Sequence, residues 1–421
     1  MKMRQMATDN PLRVLYLTSE VSPLLKVGGL GDVAGALPKA LRLLGVDISI
    51  VIPWSPRVKF VLQPWEETVG EFTLVHTFLP DSEVPVILLK HPSLLETTPA
   101  AYARIAMSIV ELKENGQLPF DLFHGNDWFA ASTIELLSRK SIPTLLTIHN
   151  LSYHPKLLQA AIQRATMLTT VSPTYADEIR TETRHDLIGI LNGIDTDVWN
   201  PLTDLLIPTQ YGVENWSVGK QKNKEALVNQ LNLAEPTIPL LAFIGRLDTQ
   251  QKGVNKIIEI LPLLLAESNV VILGTGADEL ERVLQKLGQQ NPEHLSVNLR
   301  FDEKLAHQIY ASADMMLIPS SFEPCGLVQM ISMRYGTIPV AHAVGGLKDT
   351  IRDHETGSLY QEDTSSALNT AIEEALKVYQ SDRWATMVMT AMQEDFSWKK
   401  SAKAYQQLYA SMMSYAAGRS E

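Results

Sequence analysis

Cysteine is nearly missing from this chain: Cys325 is the only one in 421 residues. No intrachain disulfide can form, and no set of thiolates can hold a zinc ion or an iron–sulfur cluster. A surplus of positive charge is missing too, with 36 Lys and Arg against 47 Asp and Glu and a formal net charge of -11. Polyanion binding needs excess cations, so a general nucleic-acid or membrane-surface role is excluded, although a local basic site is not. Long apolar runs are also absent. None approaches the roughly 20 residues of a membrane span, and the first dozen residues carry charges but no apolar signal core. Repeats and low-complexity tracts do not occur. What is present, 45% hydrophobic and 20% charged residues, is the composition of a soluble, cytoplasmic, globular protein of two or three domains.

Short β-branched runs alternate with helical stretches from Arg13 to about Asp195. Strands are predicted at Val14–Leu17, Asp47–Ile52, Val84–Leu89, Pro119–His124, Pro143–Ile148 and Met167–Val171. A second block has them at Leu240–Ile244, Val270–Leu273, Met315–Ile318 and Ile338–Val340. Such alternation predicts α/β architecture with doubly wound parallel sheets. Residues Pro201–Gly219, rich in Pro, Gly, Asn and Thr, read as a linker, and 196–219 as a hinge. Two Rossmann-like domains are therefore expected, 1–200 and 215–397, facing across a deep cleft. The long helical pattern from Trp398 to about Ala416 would pack back on the first, so that 398–421 completes it.

Ligands of open parallel sheets bind beyond the carboxyl ends of the strands, and the polar clusters of this chain fall there. Lys26-Val27-Gly28-Gly29-Leu30-Gly31-Asp32 lies between the first strand and an amphipathic helix. Glycines let backbone N–H groups approach an anion, the helix N-terminus adds its dipole, and Lys26 adds a charge. A plain tight turn would also need glycine. Asp127, in Asn126-Asp127-Trp128, either caps the following helix or faces a ligand, and His149 sits just past another strand. Arg246 and Lys252, in Gly245-Arg246-Leu247-Asp248-Thr249-Gln250-Gln251-Lys252-Gly253, could neutralise a diphosphate or merely pair at the surface. Glu323, in Ser320-Ser321-Phe322-Glu323-Pro324-Cys325-Gly326-Leu327, offers a carboxylate beside a helix start, and Val344-Gly345-Gly346-Leu347 repeats the glycine theme. Cys325 reads as a small packed residue.

Taken together, these segments resemble the bacterial and plant glycogen/starch synthases, nucleotide-sugar glycosyltransferases of the two-Rossmann-domain (GT-B) type. The likeness runs from Ser19-Glu20-Val21 and the Lys26 loop through Asn126-Asp127-Trp128, Thr147-Ile148-His149-Asn150 and Thr170–Tyr175. It continues through Asn192-Gly193-Ile194-Asp195, Gly245-Arg246-Leu247, Leu273-Gly274-Thr275-Gly276 and Phe322–Leu327.

The resemblance implies a retaining transfer of glucose from ADP-glucose or UDP-glucose to the 4-OH of an α-1,4-glucan, with no metal or other cofactor. It implies that Lys26 with Gly28 and Gly29 lies near the distal phosphate, that Arg246 and Lys252 hold the diphosphate, and that Glu323 faces the donor glucose. Asp127, His149 and Asn192 would contact sugar, and N–H groups around Gly326, Leu327 and Gly346 would complete the pocket. Two departures stand out. Gln251 occupies the place where the family has its Lys, one residue before Lys252, and Leu89–Tyr102, Leu151–Thr166 and Tyr175–Asn192 are shorter than the family's acceptor-side loops. A small sugar or polyol acceptor, or a non-catalytic glucan-binding paralogue, are the alternatives this leaves.

Overall fold

The computed structural model describes residues 11–94, 98–153 and 155–417. The charged start of the chain, part of the Leu89–Tyr102 stretch, one residue of Leu151–Thr166 and the end of the 398–421 segment lie outside the described residues. The chain divides into two compact units, residues 1–193 with 397–421, and residues 194–396.

The first unit contains β1 (Arg13–Leu17), β2 (Asp47–Pro53), β3 (Trp65–Val69), β4 (Phe72–Phe78), β5 (Pro85–Lys90), β6 (Leu122–Asn126), β7 (Thr144–Ile148), β8 (Met167–Thr170) and β9 (Ile188–Gly189). They form one sheet in the order β3-β4-β5-β2-β1-β6-β7-β8-β9. From β5 to β9 every pairing is parallel, whereas β3–β4 and β4–β5 are antiparallel. This antiparallel edge departs from the expected all-parallel sheet. Gly70, at φ +57°, turns the chain back tightly enough for β3 and β4 to pair directly. The central strands β6 and β7 are buried along their whole length, as a sheet covered on both faces demands. One face packs against the helix Gly29–Leu43 and the C-terminal helix Trp398–Ala417, which places Trp398, Tyr405, Tyr409 and Met412 in a core with Leu37, Leu41 and Ile50.

The second unit contains β10 (Leu240–Ile244), β11 (Asn269–Leu273), β12 (Leu295–Asn298), β13 (Met315–Ile318), β14 (Ile338–His342) and β15 (Ser358–Tyr360), all parallel. Their order is β12-β11-β10-β13-β14-β15. Counted within the unit this is 3-2-1-4-5-6, the doubly wound order whose direction reverses between the first and fourth strands. In the first unit the corresponding reversal lies between β1 and β6.

The expected linker is corrected. Residues Pro201–Gly219 do not join two bodies; they are packed into the second unit, which begins at Ile194. Tyr211 is buried and its hydroxyl donates to the Tyr335 carbonyl at 2.7 Å. Buried Asp204 accepts from His307 Nδ1 at 2.7 Å and from the Tyr335 hydroxyl at 2.6 Å. Burial works against the charge of Asp204, yet these two bonds, the N–H of Leu206 and the charge of His307 together outweigh it and hold the carboxyl below its ordinary range. Pro and Gly here shape a tethered loop rather than a free one.

Candidate active site

In the second unit the loops after β10 and β13 flank the reversal point, and each carries predicted site residues. The loop after β10 is ordered by Asp248, whose Oδ1 accepts the N–H of Gln251 at 2.7 Å and of Lys252 at 2.9 Å. Arg246 lies along it, donating from Nε to Asp248 Oδ2 at 2.7 Å and from Nη2 to Gln251 Oε1 at 2.7 Å. Gln251 thus braces the arginine. Lys252, one position further on, reaches Glu323 Oε2 at 2.5 Å. Glu323 is buried and also accepts from Ser320 Oγ at 3.0 Å, so its carboxylate is fixed from two sides.

Close backbone crossings hold these loops together. Gly253 adopts φ +64°, and a Cβ there would lie 2.2 Å from the Pro319 carbonyl oxygen. Gly345, at φ +44°, would place a Cβ 2.0 Å from the carbonyl oxygen of Glu323, and Gly346 donates its N–H to that same oxygen at 3.0 Å. Only glycine admits such a pairing. Gly326, at φ +75°, precedes Leu327, which opens the helix Val328–Arg334. Lys256, which sequence reasoning did not single out, donates to the Pro319 carbonyl at 2.9 Å and Ser321 Oγ at 3.0 Å and pairs with Asp363. It ties the β13 loop to the helix Val254–Leu264. Cys325 is buried, as a packed residue should be.

In the first unit Asp127 follows β6 directly, in the left-handed region at φ +49°. Its side chain does not cap its own helix, whose N-cap is Asn126. Instead Oδ1 accepts the N–H of His149 at 2.6 Å and of Asn150 at 3.3 Å, joining the ends of β6 and β7. Burial pushes its carboxyl up to about 7 against the pull of those two bonds. Asn126 fixes His149 from the other side. Its Nδ2 donates to the Leu17 carbonyl at 2.9 Å, so its Oδ1 must accept, from Tyr16 at 3.1 Å and from His149 Nε2 at 2.8 Å. His149 therefore carries its proton on Nε2. Burial lowers its imidazole to about 3, so the ring is neutral and Nδ1 is an acceptor. Asn192 is buried, its N–H donating to the Val171 carbonyl at 3.3 Å.

Lys26 and the glycine loop follow β1. Lys26 Nζ pairs with Asp32 at 2.7 Å. Gly28 N–H is directed inward to Glu20 Oε2 at 2.9 Å, while Gly29, the first helical residue, is exposed. Among the described residues no cluster of three His, Cys, Asp or Glu could hold a metal ion, and no helix is long and apolar enough to cross a membrane.

Comparison with known proteins agrees with this arrangement. Residues 13–193 match the family model described as starch synthase catalytic domain, and residues 223–385 that of glycosyl transferases group 1. Glycogen synthase from Kosmotoga olearia is 36% identical over 464 aligned positions, covering 94% of this chain and 97% of the relative. Glycogen synthase from an Anaeromyxobacter species is 37% identical, covering 95% and 99%. The solved catalytic domain of starch synthase IV from Arabidopsis thaliana, bound to ADP and acarbose, superposes with a TM-score of 0.87 at 30% identity, covering 96% of this chain and all of the other. On matched sequence over nearly its whole length, and on two units with doubly wound parallel sheets, the chain belongs to the glycogen/starch synthase family of GT-B glycosyltransferases.

Proposed function

We propose that the protein transfers glucose from ADP-glucose, or UDP-glucose, to the non-reducing 4-OH of an α-1,4-glucan with retention of configuration. One observation carries this reading: at the reversal point of the second unit the loop after β10 carries both Arg246 and Lys252, and Lys252 is bonded to Glu323 of the loop after β13. As the sugar–phosphate bond breaks, negative charge grows on the diphosphate and positive charge on the sugar ring. Two cations lower the energy of the first and a fixed carboxylate that of the second. In this reading Arg246 and Lys252 supply the charge that a metal would otherwise bring, and no cofactor beyond the donor is assigned. The ADP and acarbose of the starch synthase IV structure support a nucleotide-sugar donor and a glucan acceptor.

Lys26 and the exposed start of the helix Gly29–Leu43 are assigned to the distal phosphate. The Nδ1 acceptor of His149 and the side chains of Asp127 and Asn192 are assigned to sugar hydroxyls, and the N–H groups at Gly326, Leu327 and Gly346 to the donor. A cytoplasmic location is part of the proposal, supported by the single, buried cysteine.

A second reading concerns the acceptor. The alignment with the Kosmotoga enzyme spans 464 positions, more than the 421 residues of this chain, so relatives carry segments absent here. A trimmed acceptor region would admit a small sugar or polyol. Turnover of ADP-glucose and UDP-glucose with glycogen, a maltooligosaccharide or no acceptor separates the two. Labelled glucose entering precipitable polymer supports the glucan reading; label confined to a small soluble glucoside supports the second.

A further inference from the structure

Glu20 takes no part in the assignments above, yet it occupies the place in the glycine loop where an anion would be expected. It follows β1, is buried, and its Oε2 accepts the N–H of Gly28 at 2.9 Å and the N–H of Val27. The helix Gly29–Leu43 receives no side-chain cap from its own N-cap residue, Gly28. The carboxylate eight residues earlier instead takes up the two amides that lead into the helix, those of Val27 and Gly28. The loop is shaped around it. A Cβ on Gly31 would lie 3.1 Å from Glu20 Oε2, and one on Gly28 3.6 Å from Oε1. Ser22 closes the knot by donating its N–H to the Gly31 carbonyl at 2.9 Å, while Gly35 lets the helix approach so closely that a Cβ would stand 2.5 Å from the Ser22 carbonyl oxygen.

This arrangement divides the loop's amides in two. Those of Val27 and Gly28 are committed to the protein's own carboxylate and are not offered to a phosphate. Gly29 remains exposed at the helix start, and Lys26 is steadied by Asp32. We propose that Glu20 is a positioning residue of the donor site: seated in the amide cradle, its carboxylate holds the Lys26–Gly29 backbone so that Lys26 and the helix start are presented to the phosphates of the nucleotide sugar. This rests on the donor reading given above. Without the carboxylate the cradle amides lose their acceptor, the loop relaxes, and the ammonium and helix start no longer hold one geometry.

The test compares Glu20→Ala, which empties the cradle, with Glu20→Gln, which keeps one acceptor oxygen at the same reach. ADP affinity is measured by calorimetry, KM is measured separately for ADP-glucose and glycogen, and thermal melting reports the fold. In Glu20→Ala the ADP Kd and the ADP-glucose KM are expected to rise about tenfold, with glycogen KM little changed and Glu20→Gln in between. Sodium formate, but not chloride at equal ionic strength, should restore ADP binding in Glu20→Ala by refilling the cradle. A folded Glu20→Ala that binds ADP like wild type overturns the proposal. So does an equal rise in both KM values without a formate response, which would reduce Glu20 to support of the fold. Should Glu20→Ala not fold, the same ADP and KM comparison on Glu20→Gln decides. If wild type binds ADP in a Glu20-dependent way but transfers no glucose, the loop assignment stands and the transferase reading falls.

Discussion

His124, unlike His149, is assigned no part in the proposed site and serves the core of the first unit. Its Nδ1 meets the Tyr409 hydroxyl and its Nε2 the Thr147 hydroxyl, each at 2.7 Å, inside the core of the first unit. Burial pulls its imidazole down from 6.5 to about 3. Below pH 6.5 the unfolded chain binds a proton that the folded chain refuses, so the stability contributed by His124 is complete above 6.5 and lost as the pH falls toward 3. Denaturant melts of wild type should weaken steadily between pH 6.5 and 4, and His124→Gln should flatten that slope; parallel slopes would show the ring is not held neutral. Asp204 gives a different expectation. Asp204→Ala strands the His307 and Tyr335 donors in the core, at a cost of about 1–3 kcal/mol for each unsatisfied group. Limited proteolysis should then cut within residues 196–219, a segment that resists in wild type.

The loops after strands were legible from residue type, because a buried parallel strand is an apolar run and whatever polar cluster follows it lies at the sheet's rim. Arg246, Lys252, Glu323, Asp127 and His149 could be picked out on that ground. Their bonding could not. The brace from Gln251 to Arg246, the reach of Lys252 to Glu323 and the seat of Glu20 in the glycine loop depend on approaches that only the folded backbone creates. Strand β3 escaped notice for a related reason. Trp65-Glu66-Glu67-Thr68-Val69 lies exposed at a sheet edge and bears no buried apolar signature. The linker was misread because Pro and Gly mark irregular backbone, whether tethered or free. Gly345 tests how strictly the loop crossings are built. Alanine there meets both the left-handed penalty and the Glu323 carbonyl, so Gly345→Ala should cost about 2–5 kcal/mol and displace Glu323. A variant that melts with wild type would show that the crossing relaxes cheaply.

The long return of the chain makes the first unit discontinuous in sequence. Trp398, Tyr405, Tyr409 and Met412 are nearly fully buried against the first unit's own helix and sheet. Removing residues 398–421 should therefore expose that core and leave a protein that aggregates, although none of the assigned site residues is deleted; a soluble, active truncation would contradict this packing. The two reversal points, one in each unit, explain why chemistry-bearing loops gather where they do, and family membership agrees with that order. The central claim is narrower: that Lys252, with Arg246, stabilises the departing diphosphate. Its most direct test is the rate at which labelled glucose passes from ADP-glucose into glycogen in wild type and in Lys252→Ala, with melting temperature as the check on folding. The account expects incorporation by wild type and a loss on the order of a hundredfold in a variant that melts normally. Transfer at a near wild-type rate by folded Lys252→Ala would contradict it.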